Sequence, residues 1–165
     1  MCFLHGSEIA GRLVLPVGEG AVQPAGVDLR VSEVSVFMGP GGLAGGKRLP
    51  PSRPLLPVRG AWRLGPGAYK VRFVEEVRVP LDTVGLCFPR STLLRSGVAL
   101  HCAVWDPGYR GRGEALLMVY NRYGFELGVG ERVAQLVFAR LCGGPGEAYR
   151  GDYQGEGLGS EGAEP

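Results

Sequence analysis

The chain has 165 residues, 45% of them hydrophobic, which is enough to bury one ordinary core in one domain. A formal charge of +2, with no long run of Lys or Arg, gives no support to a general nucleic-acid or membrane partner, so positive charge is expected to act locally. Cys2, Cys87, Cys102 and Cys142 lie far apart, with no Cys-x-x-Cys pair and no His at ligand spacing, which speaks against a zinc site and for buried free thiols.

The N-terminal stretch lacks a basic region ahead of a long apolar core, and no apolar run reaches the roughly 20 residues that span a bilayer, so a cytoplasmic location is expected. Residues 6–15 predict one short helix, with Ser7 as its cap and Ile9, Leu13 and Val14 on one side. Over residues 27–37, Val27, Leu29, Val31, Val34 and Val36 recur at mostly every second position, the mark of a strand with one slip. Residues 39–60 hold Gly-Pro-Gly-Gly, Gly-Gly and Pro-Pro, which makes continuous ladder bonding implausible and predicts a long surface loop.

Tyr69, Val71 and Phe73 alternate with Lys70 and Arg72, and Val77 and Val79 resume the pattern after Glu75 and Glu76, giving a strand pair or a bulged strand. Further short apolar runs at 84–88, 98–105, 115–120 and 133–141 are bounded by Gly, Pro or Asn, so the chain is all-β and closes as a sandwich or barrel. After Cys142 apolar residues almost vanish, which divides the chain into a β domain over 1–142 and a Gly-rich tail or lid over 143–165, expected to be mobile.

Two segments carry possible chemistry. Asp106 precedes Pro-Gly between two apolar runs and is expected at a hairpin tip, where an Asp either bonds nearby backbone amides or stands free as a general base. Residues 89–95, Pro-Arg-Ser-Thr-Leu-Leu-Arg, put two hydroxyls and two guanidinium groups around a strand end, a cluster suited to an anion or simply a solvated loop.

Taken together, PAGVDLR at 24–30, PRSTLLR at 89–95, WDPGYRG at 105–111 running on to Tyr120-Asn121, GERVAQL at 130–136 and Tyr153-Gln154-Gly155 resemble the dUTPase and dCTP deaminase superfamily over most of the chain. The resemblance implies a dUTPase-like distorted β-barrel, the β-clip, assembled as a homotrimer whose active sites are shared between chains. It implies that Asp106 activates a water for attack on the α-phosphate of dUTP, and that Tyr109 packs beneath deoxyribose and leaves no room for a 2′-hydroxyl. Arg90, Ser91, Thr92 and Gln135 fall where the family holds the phosphate chain, with Arg95 beside them and Arg150 as either a lid cation or a solvated tail residue. Mg²⁺ would bridge the triphosphate, and Asp28 would support the metal's water shell or only the strand turn. Uracil would be read by backbone groups between residues 97 and 106, with His101 touching the base or merely packing, and Trp105 in the core or a trimer contact.

The same resemblance spans two activities. Residues 7–14, Gln23-Pro24, Arg95 and Asp106-Pro107-Gly108 look like the deaminase branch, yet the Glu which that branch places three residues before the Tyr-Asn pair is Met118 here, and a thioether carries no protons. Glu114 lies four residues earlier, about 13 Å along a strand. Residues 109–114 resemble the dUTPase Tyr-Arg-Gly-Glu with two residues inserted, and residues 155–160 the glycine-rich fifth motif with Leu158 for the stacking Phe. dUTP hydrolysis is therefore the expected reaction. A dCTP deaminase, a bifunctional enzyme and a non-catalytic nucleotide-binding regulator are the alternatives.

Overall fold

The computed structural model describes residues 2–159. In chain order these form α1 (Gly6–Ile9), β1 (Val14–Leu15), β2 (Val22–Gln23), β3 (Gly26–Phe37), β4 (Ser52–Pro54), β5 (Ala61–Leu64), β6 (Gly67–Phe73) and β7 (Glu76–Arg78). They continue as β8 (Thr83–Pro89), α2 (Ser91–Arg95), β9 (Val98–His101), β10 (Arg110–Gly111), β11 (Glu114–Val119), β12 (Phe125–Gly128) and β13 (Arg132–Arg140). The main sheet runs β8-β13-β3-β6-β11-β9, with β2 and β4 pairing β3, beside two small sheets, β1-β7-β10 and β12-β5. Just beyond β9, Trp105 exchanges both backbone hydrogen bonds with Gly85 of β8, at 2.9 and 3.0 Å, so the two ends of the sheet meet in a nearly closed barrel. Closure of this kind removes open sheet edges.

Alternation drives the barrel wall. On β11 the even positions Glu114, Leu116 and Met118 face outward half-exposed, while Ala115, Leu117 and Val119 are buried with Phe73, Phe138 and Leu136. The slip read in β3 is a register shift between Val31 and Glu33, where exposed Ser32 is the extra residue and its hydroxyl donates to Arg72 O and Phe73 O. Opposite it, between β6 and β7, the fully buried Glu75 carboxylate accepts from Arg30 N at 2.8 Å and Arg30 Nε at 2.7 Å. A single side chain thus satisfies both the backbone N–H and the guanidinium of Arg30.

Three expectations need correction. The helix stops at Ile9 and is capped by His5, whose N–H donates to Glu8 Oε2 at 2.9 Å, because Val14 and Leu15 gain more by pairing with β7 than by continuing the turn. Residues 39–60 are not all loop: β4 pairs Ser35, Val36 and Phe37 of β3, since Pro51 and Pro54 flank and end a ladder too short for their missing donors to matter. All four thiols are free, but Cys2 and Cys142 are exposed rather than buried. Among the described residues no helix is long and apolar enough to cross a membrane.

Candidate active site

Asp106-Pro107-Gly108-Tyr109 is a β-turn closed by Tyr109 N–H donating to Asp106 O at 3.1 Å, with Gly108 at φ +80°. Pro at the second position and a left-handed Gly at the third are what this turn type requires. The Asp106 side chain is exposed and makes no hydrogen bond or ion pair among the described residues, so it does not spend itself on the turn amides. The turn points Tyr109 inward. Its ring is 7% exposed, meets Trp105 edge-on at 5.3 Å and Tyr149 at 5.9 Å, and its hydroxyl donates to Glu156 Oε1 at 2.8 Å. Burial, then the Glu156 carboxylate, holds the phenol far above its ordinary pKa, and burial raises that of Glu156 as well.

Asp106, Tyr109, Trp105, Glu114, Tyr149 and Glu156 line one cavity of about 250 Å³. A second of about 280 Å³ adjoins it across Ala103, Glu114, Tyr153 and Glu156 and extends to Phe37, Leu49 and Lys70. Glu114 lies in the wall of both, but its Oε1 accepts from Arg72 Nη2 at 2.8 Å and its Oε2 pairs with Lys70 Nζ at 3.1 Å. Met118 lines neither cavity; it pairs Ala99 and Ala68 farther along β11. A larger groove of about 710 Å³, between Leu55 and Arg63 and against Glu126, holds none of the expected site residues.

The other expected residues gather elsewhere. Asp28, 1% exposed on β3, pairs in register with Gln135 of β13, accepts from Gln23 Nε2 at 3.1 Å and faces Arg90 Nε and Arg132 Nη1, each at 3.4 Å. Burial raises its pKa, and the two guanidinium groups and Gln23 oppose that shift. Arg90 caps α2 and is fixed by its N–H donating to Val133 O, which leaves Ser91 and Thr92 exposed on the first turn. Arg95 donates back to Ser91 O at 3.1 Å, and Arg150 is exposed on the tail. Trp105 lies in the core, and His101 is exposed at the end of β9. Since Trp105 pairs Gly85 and Arg90 follows five residues later, the two clusters stand about 16 Å apart along β8.

Residues 146–158, expected as a mobile lid, lie docked on the 107–112 segment of their own chain. Tyr149 N–H donates to Pro107 O, Gly155 N–H to Arg110 O and Arg112 N–H to Glu156 O, at 2.7 to 2.8 Å. Lys47 of the 39–60 segment pairs with Asp152 and sits 4.7 Å over the Tyr153 ring. Ser160, the last residue of the glycine-rich stretch 155–160, lies outside the described residues. The sequence reading missed Tyr149 and Glu156 as cavity walls, because nothing in spacing links Glu156 to a Tyr 47 residues earlier. Their traces were the neighbouring Tyr153-Gln154-Gly155 and that same glycine-rich stretch, which contains Glu156.

Among the described residues no group of three or more His, Cys, Asp or Glu could hold a metal ion. Asp28 already faces the guanidinium groups of Arg90 and Arg132, each at 3.4 Å.

The chain is 51% identical over 140 residues to a probable deoxyuridine 5′-triphosphate nucleotidohydrolase of Aeropyrum pernix, covering 84% of this chain and 88% of that protein. It is 39% identical over 142 residues to the protein of the same name from Methanosarcina mazei, covering 84% and 83%. The structure of 2′-deoxycytidine 5′-triphosphate deaminase from Agrobacterium tumefaciens superposes with a TM-score of 0.64 at 21% identity, over 84% of this chain and 48% of that one, which shows the shared fold. This chain spans about half the length of that deaminase. The family model described as dCTP deaminase-like matches residues 4–141, and with that match the chain belongs to the dCTP deaminase-like family, within the dUTPase and dCTP deaminase superfamily.

Proposed function

We propose that the protein is a dUTP diphosphatase, converting dUTP and water to dUMP and pyrophosphate. The observation that carries this reading is the contrast within one cavity: Asp106 is a carboxylate with no partner among the described residues beside the buried Tyr109, whereas Glu114 has both oxygens engaged and position 118 is a Met outside the cavity. The archaeal relatives carry the hydrolase name.

In this mechanism Asp106 takes a proton from water, the water oxygen bonds to the α-phosphorus, and the bridging oxygen leaves with the β- and γ-phosphates. The carboxylate must be ionised and within hydrogen-bond reach of that water. Tyr109 supports the sugar and excludes a 2′-hydroxyl. Arg90, Ser91, Thr92, Gln135 and Arg95 hold the phosphate chain, with Arg150 meeting its far end, and uracil is read by backbone groups before Asp106. Bound to the triphosphate, Mg²⁺ would neutralise phosphate charge, and Asp28 would support it through its water shell.

The separation of the two clusters supports a homotrimer: a chain that keeps Arg90 about 16 Å from Trp105 along one strand needs a second copy to bring phosphate ligands to its Asp106. A cytoplasmic site of action fits a substrate of nucleotide metabolism. The test supplies dUTP and dCTP separately with Mg²⁺ and identifies the products. Pyrophosphate and dUMP from dUTP, lost on chelation, are expected; ammonia from dCTP with dUTP untouched would reverse the assignment.

A further inference from the structure

The tail does more than lie over a cavity: one of its side chains brackets the residue at the cavity's floor. Gln154 is exposed, yet both ends of its carboxamide are bonded. Its Oε1 accepts from Arg110 N–H at 2.9 Å, and its Nε2 donates to Gly108 O at 2.8 Å. These two backbone groups flank Tyr109, so the amide grips the chain on both sides of that residue as a neighbouring strand would. Two residues on, Glu156 accepts the Tyr109 hydroxyl at 2.8 Å. Backbone and ring are thus fixed from the same segment.

The packing leaves little freedom for another arrangement. A Cβ at Gly108 would stand 2.8 Å from Ala148 Cβ, and one at Gly111 would stand 2.5 Å from the Tyr109 hydroxyl. Glycine at these positions lets tail and turn approach within bonding range of Gln154. The Lys47–Asp152 pair holds the tail from its far side, at the residue preceding Tyr153.

We propose that Gln154, assisted by Glu156, is a positioning residue that holds Tyr109 in the place where it discriminates against ribonucleotides, so that sugar selectivity depends on the docked tail of the same chain. The proposal rests on the dUTP diphosphatase reading for its consequence in catalysis, and on geometry alone for its consequence in structure.

Two measurements separate these. In the first, the wild-type protein and the variants Gln154→Ala, Glu156→Ala and Glu156→Gln are treated with tetranitromethane, and nitration at Tyr109 is mapped by mass spectrometry. Tyr109 is expected to be protected in the wild type and in Glu156→Gln, whose amide oxygen still accepts the phenol, and to become reactive in Gln154→Ala and Glu156→Ala. In the second, kcat/KM is compared for dUTP and UTP. The dUTP preference is expected to fall roughly tenfold in Gln154→Ala, the scale of a hydrogen-bonded contact to a group that must stay in place, and to be retained in Glu156→Gln. Protection of Tyr109 in Gln154→Ala, or unchanged selectivity in a variant whose Tyr109 has become reactive, would overturn the proposal. A wild-type protein that does not hydrolyse dUTP would instead overturn the functional reading, and the nitration pattern would still decide whether Gln154 holds Tyr109.

Discussion

Asp106 and Tyr109 owe their opposite environments to the two residues between them. Pro107 and Gly108 turn the chain so tightly that a side chain left in solvent and a ring 7% exposed sit three residues apart. Asp106→Asn is expected to lower dUTP turnover by about a hundredfold or more with nucleotide affinity nearly unchanged, because the amide fits the turn but takes no proton from water. Single-turnover rates alongside equilibrium binding would check this, and an undiminished rate would exclude the base. Glu156 carries a pH prediction. Burial raises its pKa, with Glu114 adding to the rise and Tyr109, Arg72 and Lys70 opposing it, so it favours docking most in its neutral form. Its contribution is complete below the ordinary Glu value and is lost as pH rises through the raised one. Asp152 acts in the other sense, since Lys47 lowers its pKa and their pair weakens only when pH falls through that lowered value. Between the two, protection of the tail from limited proteolysis should increase as pH falls through the raised Glu156 value towards the lowered Asp152 value, and Glu156→Gln should flatten the dependence.

At the scale of elements, β3 connects the two halves of the barrel, and its bulge is the point of greatest electrostatic stake. Glu75 is fully buried and its carboxylate is bonded by the backbone and side chain of Arg30. Arg30→Ala removes the guanidinium and leaves the buried charge with one donor, so a loss of about 3 kcal/mol in unfolding free energy is expected in denaturant titrations at fixed protein concentration. The turn–tail contact is the second such element: Gly108→Ala forces a left-handed Ala into Ala148 and should cost about 1–2 kcal/mol while exposing the tail to protease. The bulge was legible in the sequence as the slip after Val31, because period-two burial cannot tolerate an extra residue without one. The true helix end was not, since Leu13 and Val14 suit a helical stripe as well as a strand, and only the partner Val77 on β7 chooses between them.

For the whole molecule, the proposed homotrimer would join the Asp28–Arg90–Gln135 cluster of one chain to the Asp106–Tyr109 cavity of another, and complementation tests it. Mixing Asp106→Asn with Arg90→Ala, each inactive alone, should restore activity severalfold after subunit exchange, because a mixed assembly regains sites with both groups intact. Sedimentation of the wild type should give a trimer. Additive inactivity in the mixture, with exchange verified, would place both groups of each site on one chain.

Alternation of apolar residues and the Gly and Pro punctuation already determined an all-β chain, since side-chain period and turn residues are local properties, and the ordered motifs around Asp28, Arg90, Asp106 and Gln135 carried the resemblance that implied a dUTPase-like barrel. The docking of Gln154 and Glu156 on Tyr109, the engagement of Glu114 by Lys70 and Arg72, and the gap between the two clusters were decided only by tertiary structure. The first two depend on which residues, 42 to 47 apart in the chain, the fold brings face to face, and no local pattern encodes that distance.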